Sequence, residues 1–176
     1  MELQDRLYTD DYLEELETRY LTFRTDGQLF GIPITEIVQI AKIQEIIRLP
    51  EQPPYVKGII NLRGQIIPVI DVCLRFGKQE AAFTERTCII IAHVKGSDFG
   101  LIVDEVDEVA DIRAEQISEP PRISADADQV NAYLTGIARL KAGGNQKERI
   151  ALLLHAARIV GEAELPSLSQ AAVDLA

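Results

Sequence analysis

Two histidines and two cysteines are the side chains of this chain best suited to nucleophilic or acid–base chemistry. His93 and His155 each follow an apolar run, and neither stands in a nucleophile motif beside a serine or a cysteine. Both rings are therefore predicted to be satisfied within the fold. Cys73 and Cys88 stand singly in apolar surroundings, which indicates core thiols rather than a zinc site or a disulfide. Catalysis is not expected, and a hydrolase using His93 or His155 is kept only as an alternative.

The string Asn61-Leu62-Arg63-Gly64 points to another chemistry, the recognition of a carboxylate by a held guanidinium. Apolar runs on both sides of Arg63-Gly64 predict a tight β-hairpin in which Gly64 takes a positive φ that a side chain resists. Arg63 then projects from a rigid tip, where it loses less entropy on meeting a carboxylate and can form paired hydrogen bonds. The plainer interpretation is a solvated arginine of an ordinary turn.

The acidic run at residues 104–108 is predicted to be a solvated edge. A calcium loop would need a turn geometry and a glycine that this run does not have. The glycines of the chain are spaced as turns between strands and not as a phosphate-binding loop. No metal or cofactor is expected.

The segments that position these residues occur twice in the sequence. Residues 26–37 recur as residues 95–106, with both glycines, the phenylalanine and the glutamate in register. Residues 55–63 are answered in the same order by residues 133–141, which indicates a duplicated lobe. In the second copy the Arg63 tip becomes a longer loop, and this divergence indicates that the first tip does more than close a hairpin.

Most of the chain reads as short, β-branched segments bounded by turns, which predicts a small barrel or sandwich. Two-residue turns are predicted at Asp26-Gly27 and Lys95-Gly96, and further strands at residues 66–70 and 150–154. Helices are predicted to be few. One is capped by Asp71 and ends at Gly77, another covers residues 156–160, and the proline-rich residues 50–54 form a loop.

Composition places the chain among ordinary soluble proteins, with 176 residues, 47% hydrophobic and 26% charged. No apolar run approaches the roughly 20 residues of a membrane span, and the charged start does not resemble a signal peptide, so a cytoplasmic protein is expected. The net charge of -10, without a basic stripe, argues against nucleic-acid binding.

The charge is unevenly placed along the chain. Residues 1–20 and residues 99–122 each hold seven acidic side chains against two arginines, whereas residues 31–80 hold six basic and five acidic ones. The net values are -5, -5 and +1, so the first lobe is the one suited to an acidic partner.

Ile37 and Gln39 precede the proline-rich loop, and Val106 and Glu108 occupy the equivalent places in the second copy. Residues 32–43 contain more apolar side chains than one inward face needs. These side chains either line a groove or belong to a strand that is buried on both faces.

The residues from Gly58 to Gly64, the string Pro68-Val69-Ile70-Asp71 and the duplicated Phe-Gly hairpins resemble the CheW-like family of chemotaxis coupling proteins across residues 20–160. The resemblance implies an all-β fold with few short helices, in which two intertwined five-stranded SH3-like barrels surround a shared core. It also implies a non-enzymatic scaffold that joins methyl-accepting chemoreceptor tips to the regulatory domain of the histidine kinase CheA. Such a protein is cytoplasmic and is recruited to receptor arrays at the inner face of the membrane, without inserting into it.

The resemblance also divides the chain. An acidic N-terminal arm covers residues 1–18, a single CheW-like domain covers residues 19–161, and a mobile tail covers residues 162–176. Within the domain the first lobe is mainly residues 30–85 and the second mainly residues 86–152, with terminal segments crossing between them.

Arg63, Asn61 and Gly64 match the family's receptor-facing motif, with Ile37 and Val106 as apolar contacts nearby. Gln39 departs from the family, because many chemotaxis members have glutamate there, and this leaves room for a twitching-motility or other chemosensory pathway. An alternative of another class is a regulator that binds a small molecule in an interlobe groove. A ligand pocket needs convergent polar groups, whereas a groove that accepts a helix is open and apolar.

Overall fold

The computed structural model describes residues 18–121, 129–141 and 147–161. Apart from Thr18, the predicted arm lies outside the described residues, as does the predicted tail. The described chain is mostly β-strand with few short helices, so the predicted all-β class is confirmed. In chain order the strands are β1 Arg19–Thr25, β2 Gln28–Pro33, β3 Ile37–Lys42, β4 Val56–Leu62, β5 Gln65–Asp71, β6 Cys88–Val94, β7 Ser97–Val103, β8 Glu105–Asp111, β9 Ile117–Ser118, β10 Leu134–Leu140 and β11 Arg149–Leu154.

The helices in the described residues are short. The α-helices are α1 Val72–Arg75 and α2 Ala156–Val160, and 3₁₀ turns cover Ile34–Glu36, Ala114–Gln116 and Gln129–Tyr133. Both predicted helices are thus confirmed, as are the predicted hairpins β1–β2 and β6–β7. The local turn and capping signals of the sequence were sufficient for these elements.

The strands form two sheets of the same plan. Sheet I has the order β3-β6-β7-β5-β4, and sheet II has the order β8-β1-β2-β11-β10-β9. Each sheet joins an antiparallel hairpin to a second hairpin through one parallel contact, β7 with β5 in sheet I and β2 with β11 in sheet II. The two copies have therefore exchanged hairpins, because β1–β2 completes the sheet of the second copy and β6–β7 completes that of the first.

This exchange divides the chain at other places than the predicted lobes of residues 30–85 and 86–152. Residues 88–103 pair within sheet I, whereas residues 19–33 pair within sheet II. The physical reason is the parallel contact, since two parallel strands need a long crossover connection and cannot be neighbours in a hairpin.

The repeated Phe-Gly pairs have their explanation in these parallel contacts. A Cβ atom on Gly31 would lie 2.9 Å from Leu153 Cδ2, and one on Gly100 would lie 2.5 Å from Val69 Cγ1. A side chain at either position would push the two hairpins of its sheet apart. The glycine therefore recurs because the same close approach recurs.

The apolar core has three parts. A central cluster takes residues from both sheets, including Phe23 and Phe30, whose stacked ring centroids are 5.6 Å apart, and Ile90 and Phe99. A second cluster lies within sheet II and a third within sheet I. The arrangement is two small barrels on a shared core, as expected from the family resemblance.

Both sheets are closed by the chain that follows an edge strand. In sheet I, Ile47 follows β3 and forms an antiparallel bridge with Ile59 of β4. In sheet II, β9 follows β8 and pairs with β10. Closure leaves few free sheet edges, which limits unwanted edge-to-edge pairing.

The two α-helices are capped in different ways. Asp71 Oδ1 accepts a hydrogen bond from Leu74 N at the start of α1. His155 stands in the same place before α2 and makes no such bond. Glu36 replaces it, because Glu36 Oε1 accepts from Ala156 N at 2.7 Å and Glu36 Oε2 lies 2.6 Å from His155 Nδ1. The residue that caps the helix of one copy thus comes from just before β3 of the other.

Substitution of Glu36 is expected to weaken this link between the copies. Glu36→Gln keeps an oxygen acceptor for Ala156 N but loses the charge, so the free energy of unfolding should fall by about 0.5 to 1.5 kcal/mol. Glu36→Ala loses both contacts and should cost about 1.5 to 3 kcal/mol. Urea denaturation measures both values. The neighbouring Thr35→Ala is the control, and equal stabilities for Thr35→Ala and Glu36→Ala would contradict the capping role.

Candidate functional site

The turn between β4 and β5 holds three of the predicted site residues together. Arg63 and Gly64 are its two central residues, with φ values of 52° and 86°, and Leu62 pairs with Gln65 across it. Asn61 Oδ1 accepts a hydrogen bond from Gly64 N at 2.9 Å. Asn61 therefore pins the turn from inside, a structural role that the sequence did not reveal. Its part in binding a partner stays a prediction.

Arg63 is exposed at this tip. Within the part of the chain that the structure describes, its guanidinium makes no hydrogen bond and no ion pair. The charge of Arg63 is thus held on a pinned turn, and no described residue neutralises it. This arrangement suits the recognition of a carboxylate on another molecule.

The equivalent place in the second copy is closed by an internal ion pair. By register Arg149 corresponds to Gln65, since Leu140 pairs with Arg149 as Leu62 pairs with Gln65. Arg149 Nη1 donates to Asp107 Oδ2 at 3.0 Å, and Arg149 Nη2 donates to Glu108 Oε1 at 2.8 Å. The guanidinium fork thereby ties β8 to the hairpin β10–β11.

In the first copy, the three residues at the places of Arg149, Asp107 and Glu108 are all uncharged. The places of Asp107 and Glu108 are taken by Val38 and Gln39, and Gln65 Nε2 donates to Asp98 Oδ2 instead, at 3.2 Å. No ion pair between described residues ties β3 to the hairpin β4–β5. The first copy therefore presents an open face where the second copy is locked.

Strand β3 shows how this open face is made. Its residues alternate between partly buried and exposed, with Val38 51% and Ile40 47% exposed and Lys42 exposed after them. We call Val38, Ile40 and Lys42 the β3 outer strip. Residues 32–43 contain more apolar side chains than one inward face needs, and the sequence left open whether these line a groove or belong to a strand that is buried on both faces. The exposure of the β3 outer strip shows that β3 is not buried on both faces.

Ile37 and Val106 lie at equivalent positions of β3 and β8. Both are partly buried and pack against the central core cluster, Ile37 beside Ala92 and Val106 beside Phe23 in the strand pairing. The structure thus brings both to the shared core, one from each sheet. Gln39 is partly buried on β3 and, among the described residues, makes no side-chain hydrogen bond.

Cys73 is a buried thiol, and Cys88 is a partly buried one. Burial raises the pKa of Cys73 to about 11, with the nearby charge of Asp71 adding to the effect, and Cys73 Sγ donates to the Gln79 carbonyl at 3.0 Å. Burial also raises the pKa of Cys88. A catalytic or metal-binding cysteine needs the opposite shift, toward the thiolate.

Both histidines are held by carboxylates of the fold. His93 Nδ1 lies 2.6 Å from Asp98 Oδ1, and His155 is held by Glu36 as described above. Among the described residues no group of three or more His, Cys, Asp or Glu side chains is placed to hold a metal ion. The same residues contain no helix that is long and apolar enough to cross a membrane.

A cleft of ≈ 510 Å³ opens on the outside of sheet I. It is lined by Ile46, Arg48, Lys57, Phe83 and residues 80–82. The Lys57 ammonium is already paired with a lining carboxylate. Because every lining residue comes from residues 46–83, this cleft is not the interlobe groove that a ligand-binding regulator was expected to use.

Residues 19–164 match the CheW-like domain family. The chain belongs to the CheW-like family. Its match to chemotaxis protein CheW of Klebsiella aerogenes is 28% identical over 152 residues, covering 86% of this chain and 87% of that protein. Its match to chemotaxis protein CheW of Bacillus subtilis is 35% identical over 111 residues, covering 62% of this chain and 71% of that protein.

Two further matches bear on the CheW-like assignment. Protein FrzA of Myxococcus xanthus is 27% identical over 131 residues, covering 74% of this chain and 79% of that protein. The crystal structure of the scaffolding protein TtCheW from Thermoanaerobacter tengcongensis superposes with a TM-score of 0.65 at 36% identity, covering 79% of this chain and 90% of that chain. The CheW-like fold expected from the sequence is thereby confirmed.

Gly64→Val is expected to lower the free energy of unfolding by about 1 kcal/mol or more, since a β-branched residue resists positive φ. Apart from its two chain neighbours, no heavy atom of the described residues lies within 4 Å of a Cβ built on Gly64, so the cost is conformational and not a clash. Gly64→Asn is the matched control, because asparagine tolerates the left-handed region and should lose much less. Thermal or urea denaturation compares the two variants. Equal losses would show that backbone conformation at the tip is not limiting.

Proposed function

We propose that this CheW-like protein is a non-enzymatic adaptor that couples chemoreceptors to a CheA-type histidine kinase in bacterial chemosensory signalling. It works in the cytoplasm and is recruited to receptor arrays at the inner face of the membrane. The names of its relatives support a place in chemotaxis, and TtCheW is described as a scaffolding protein. The raised thiol pKa values described above agree with an adaptor that performs no chemistry of its own.

The observation that carries the proposal is the contrast between the two copies. Arg149 forms ion pairs with Asp107 and Glu108 of its own chain. In the first copy Arg63 and the β3 outer strip are exposed to solvent. Natural sequences tend to close such faces unless they serve a partner. The proposed receptor site therefore comprises Arg63 on its pinned turn with Asn61 and Gly64, together with Ile37 and Gln39 on β3 and Val106 on β8, all three partly buried.

The receptor partner should present apolar side chains flanked by carboxylates. A helix with an apolar stripe and acidic edges fits this description, because it can lay the stripe on exposed aliphatic residues and offer a carboxylate to Arg63. The first lobe has a positive balance, +1 over residues 31–80 against -10 for the whole chain. Electrostatic steering thus favours this face for an acidic partner.

A second pathway has one observation in its favour. Gln39 stands where many chemotaxis members have glutamate, and the matched relatives include Protein FrzA as well as chemotaxis proteins named CheW. Coupling in a twitching-motility or another chemosensory pathway is therefore the alternative. It uses the same surface with a different receptor.

Arg63→Glu is expected to weaken binding to a receptor-tip fragment at least about tenfold, because loss of a charge-assisted bond costs about 1.5 to 3 kcal/mol and reversal adds repulsion. Lys147→Glu, in the corresponding hairpin of sheet II, is the matched control for net charge. Calorimetric titration against the receptor-tip fragment and against the kinase regulatory domain separates the two surfaces. Unchanged receptor affinity would falsify the site assignment, and parallel loss of both partners would indicate misfolding.

The companion variant Gln39→Glu should change receptor preference more than stability.

The kinase regulatory domain is proposed to dock through apolar side chains at the end of a lobe. The outside of sheet I offers such a place, where Ile47 is 53% and Phe83 44% exposed beside the cleft. Apolar contacts are not screened by salt, so kinase binding should survive roughly 0.5 M salt.

Ile47→Asp should weaken kinase binding about tenfold or more, since burying an isoleucine contributes about 1.5 to 3 kcal/mol. Val109→Asp is the matched control, because Val109 is 52% exposed on sheet II. Calorimetric titration against the kinase domain at low and high salt measures both effects. Abolition of binding by salt would show an electrostatic interface, and equal losses for the two variants would place the contact elsewhere.

A further inference from the structure

Three polar side chains of sheet I form a hydrogen-bonded row that has no part in the site proposed above. Gln65 on β5 donates through Nε2 to Asp98 Oδ2 at 3.2 Å, and Asp98 Oδ1 lies 2.6 Å from Nδ1 of His93 on β6. The carboxylate is well covered, with 16% of its side chain exposed, whereas 55% of the His93 side chain is exposed. We call Gln65, Asp98 and His93 the polar row.

The polar row lies at the same end of sheet I as Arg63. Strands β5 and β7 run parallel, with Val69 beside Gly100, so the β4–β5 turn and the β6–β7 turn leave the sheet at one end. Strands β7 and β5 lie between His93 and the turn that carries Arg63. Because neighbouring strands are about 4.8 Å apart, His93 and Arg63 are separated by two to three strand spacings, or roughly 10 to 14 Å.

The second copy does not contain this row. By register Leu29 takes the place of Asp98, because Arg24 pairs with Leu29 as His93 pairs with Asp98. Leu29 is buried and belongs to the core cluster of sheet II. Covering a carboxylate costs free energy that covering a leucine does not, so the fold plan gives no reason for Asp98. The difference indicates that the row serves contact with another molecule.

The row also fixes which nitrogen of His93 meets solvent. A carboxylate only accepts hydrogen bonds, so Nδ1 of His93 carries the proton that is donated to Asp98. In the neutral ring Nε2 is then an acceptor. Within the described ranges no hydrogen-bonding group contacts this nitrogen. His93 thus presents an oriented acceptor at the end of the sheet where Arg63 presents donors.

We propose that His93 is a specificity-determining residue of the receptor site, at which Nε2 accepts a hydrogen bond from an amide or hydroxyl side chain of the receptor helix. Asp98 and Gln65 are positioning residues, because they act through the ring of His93. Helix residues about seven or eight positions apart share a face and are about 10 to 12 Å apart, which matches the separation of His93 and Arg63. The receptor helix therefore carries a carboxylate for Arg63 and an amide or hydroxyl side chain about two turns away. This assignment rests on the proposed function and adds a contact that selects among acidic helices.

Calorimetric titration of the full chain against the receptor-tip fragment tests the contact. His93→Phe keeps a planar ring and removes the acceptor, so affinity should fall about two- to tenfold, the range of one neutral hydrogen bond. His155→Phe is the matched control and should leave affinity unchanged, because His155 is likewise held by a carboxylate and 52% of its side chain is exposed. Unchanged affinity for His93→Phe, or equal losses for the two histidines, would overturn the proposal.

Asp98→Leu tests the positioning role, since it places the residue of the second copy in sheet I. The ring of His93 loses its hold, so affinity should fall, and Asp98→Leu combined with His93→Phe should cost no more than His93→Phe alone. Asp98→Asn keeps a carbonyl that accepts from Nδ1 and should retain most of the affinity. Additive losses, or equal losses for Asp98→Asn and Asp98→Leu, would overturn the role of Asp98.

The ring nitrogens of His93 give a readout that a merely structural role would not move. Long-range ¹H–¹⁵N spectra at about pH 8, where imidazoles are ordinarily neutral, should show the proton on Nδ1 in the unmodified chain. Asp98→Leu should shift it toward Nε2, and addition of the receptor-tip fragment should change the Nε2 signal. A proton on Nε2 in the unmodified chain would overturn the acceptor assignment.

The partner side of the contact is tested with the same fragment. Alanine substitution of one amide or hydroxyl residue, about seven or eight positions from an acidic residue of the fragment, should remove the effect of His93→Phe. If every such substitution leaves that effect intact, the hydrogen-bond assignment fails.

Arg63→Glu separates this inference from the proposed function. Loss of affinity for Arg63→Glu with none for His93→Phe would leave the receptor site in place and overturn the contact of His93. Loss for His93→Phe with none for Arg63→Glu would overturn the role of Arg63 and leave the contact of His93 in place. A fragment that does not bind the unmodified chain would contradict both.

Discussion

The exchange of hairpins between the two copies is the constraint on which the rest of this structure depends. Each barrel is completed by two strands that belong to the other copy, and both exchanged hairpins meet at the central cluster through Phe23, Phe30 and Phe99. Neither barrel can lose its partner without losing strands of its own sheet. The two lobes therefore act as one rigid body, and Ile37 and Val106, one from each sheet, rest on the same core. An adaptor gains from such a body, because surfaces that bind different partners keep a fixed geometry.

On this symmetric frame the two copies have diverged mainly in charge. In sheet II a guanidinium fork from Arg149 holds β8 to the neighbouring hairpin, and the positions that answer it in sheet I are Val38 and Gln39. Loss of the internal pair removes a modest stabilisation, since partly exposed ion pairs contribute about 1 kcal/mol or less. The fold tolerates this loss because the Ile47–Ile59 bridge and the third core cluster still close the barrel. One copy thus holds its edge strand with an ion pair, and the other presents an open face.

The sequence predicted most of the local structure and less of the long-range structure. Hairpins at Asp26-Gly27 and Lys95-Gly96 carry short-range turn signals, and the helix after Asp71 carries a cap, so each could be read from a few neighbouring residues. The pairing of β2 with β11 depends on residues more than a hundred positions apart, which no local pattern encodes. The family resemblance indicated Ile37 as an apolar contact, whereas Val38 and Ile40 are the more exposed side chains. The use of Glu36 to cap the helix after His155 was not visible either, because the cap and its helix lie in different copies.

The exchanged hairpins also have a consequence for the order of events during synthesis. Strand β2 is among the first to leave the ribosome, but Phe30 pairs with Leu152, 122 residues later. At typical rates of about 5 to 20 residues per second, the first hairpin waits roughly 6 to 24 seconds for its parallel neighbour. During that interval the central cluster lacks Leu134, Leu154 and the residues of α2, so the hairpin that carries Phe23 and Phe30 is open to a chaperone or another nascent chain. The same topology that makes the folded adaptor rigid therefore delays the completion of its first hairpin's sheet until the end of synthesis.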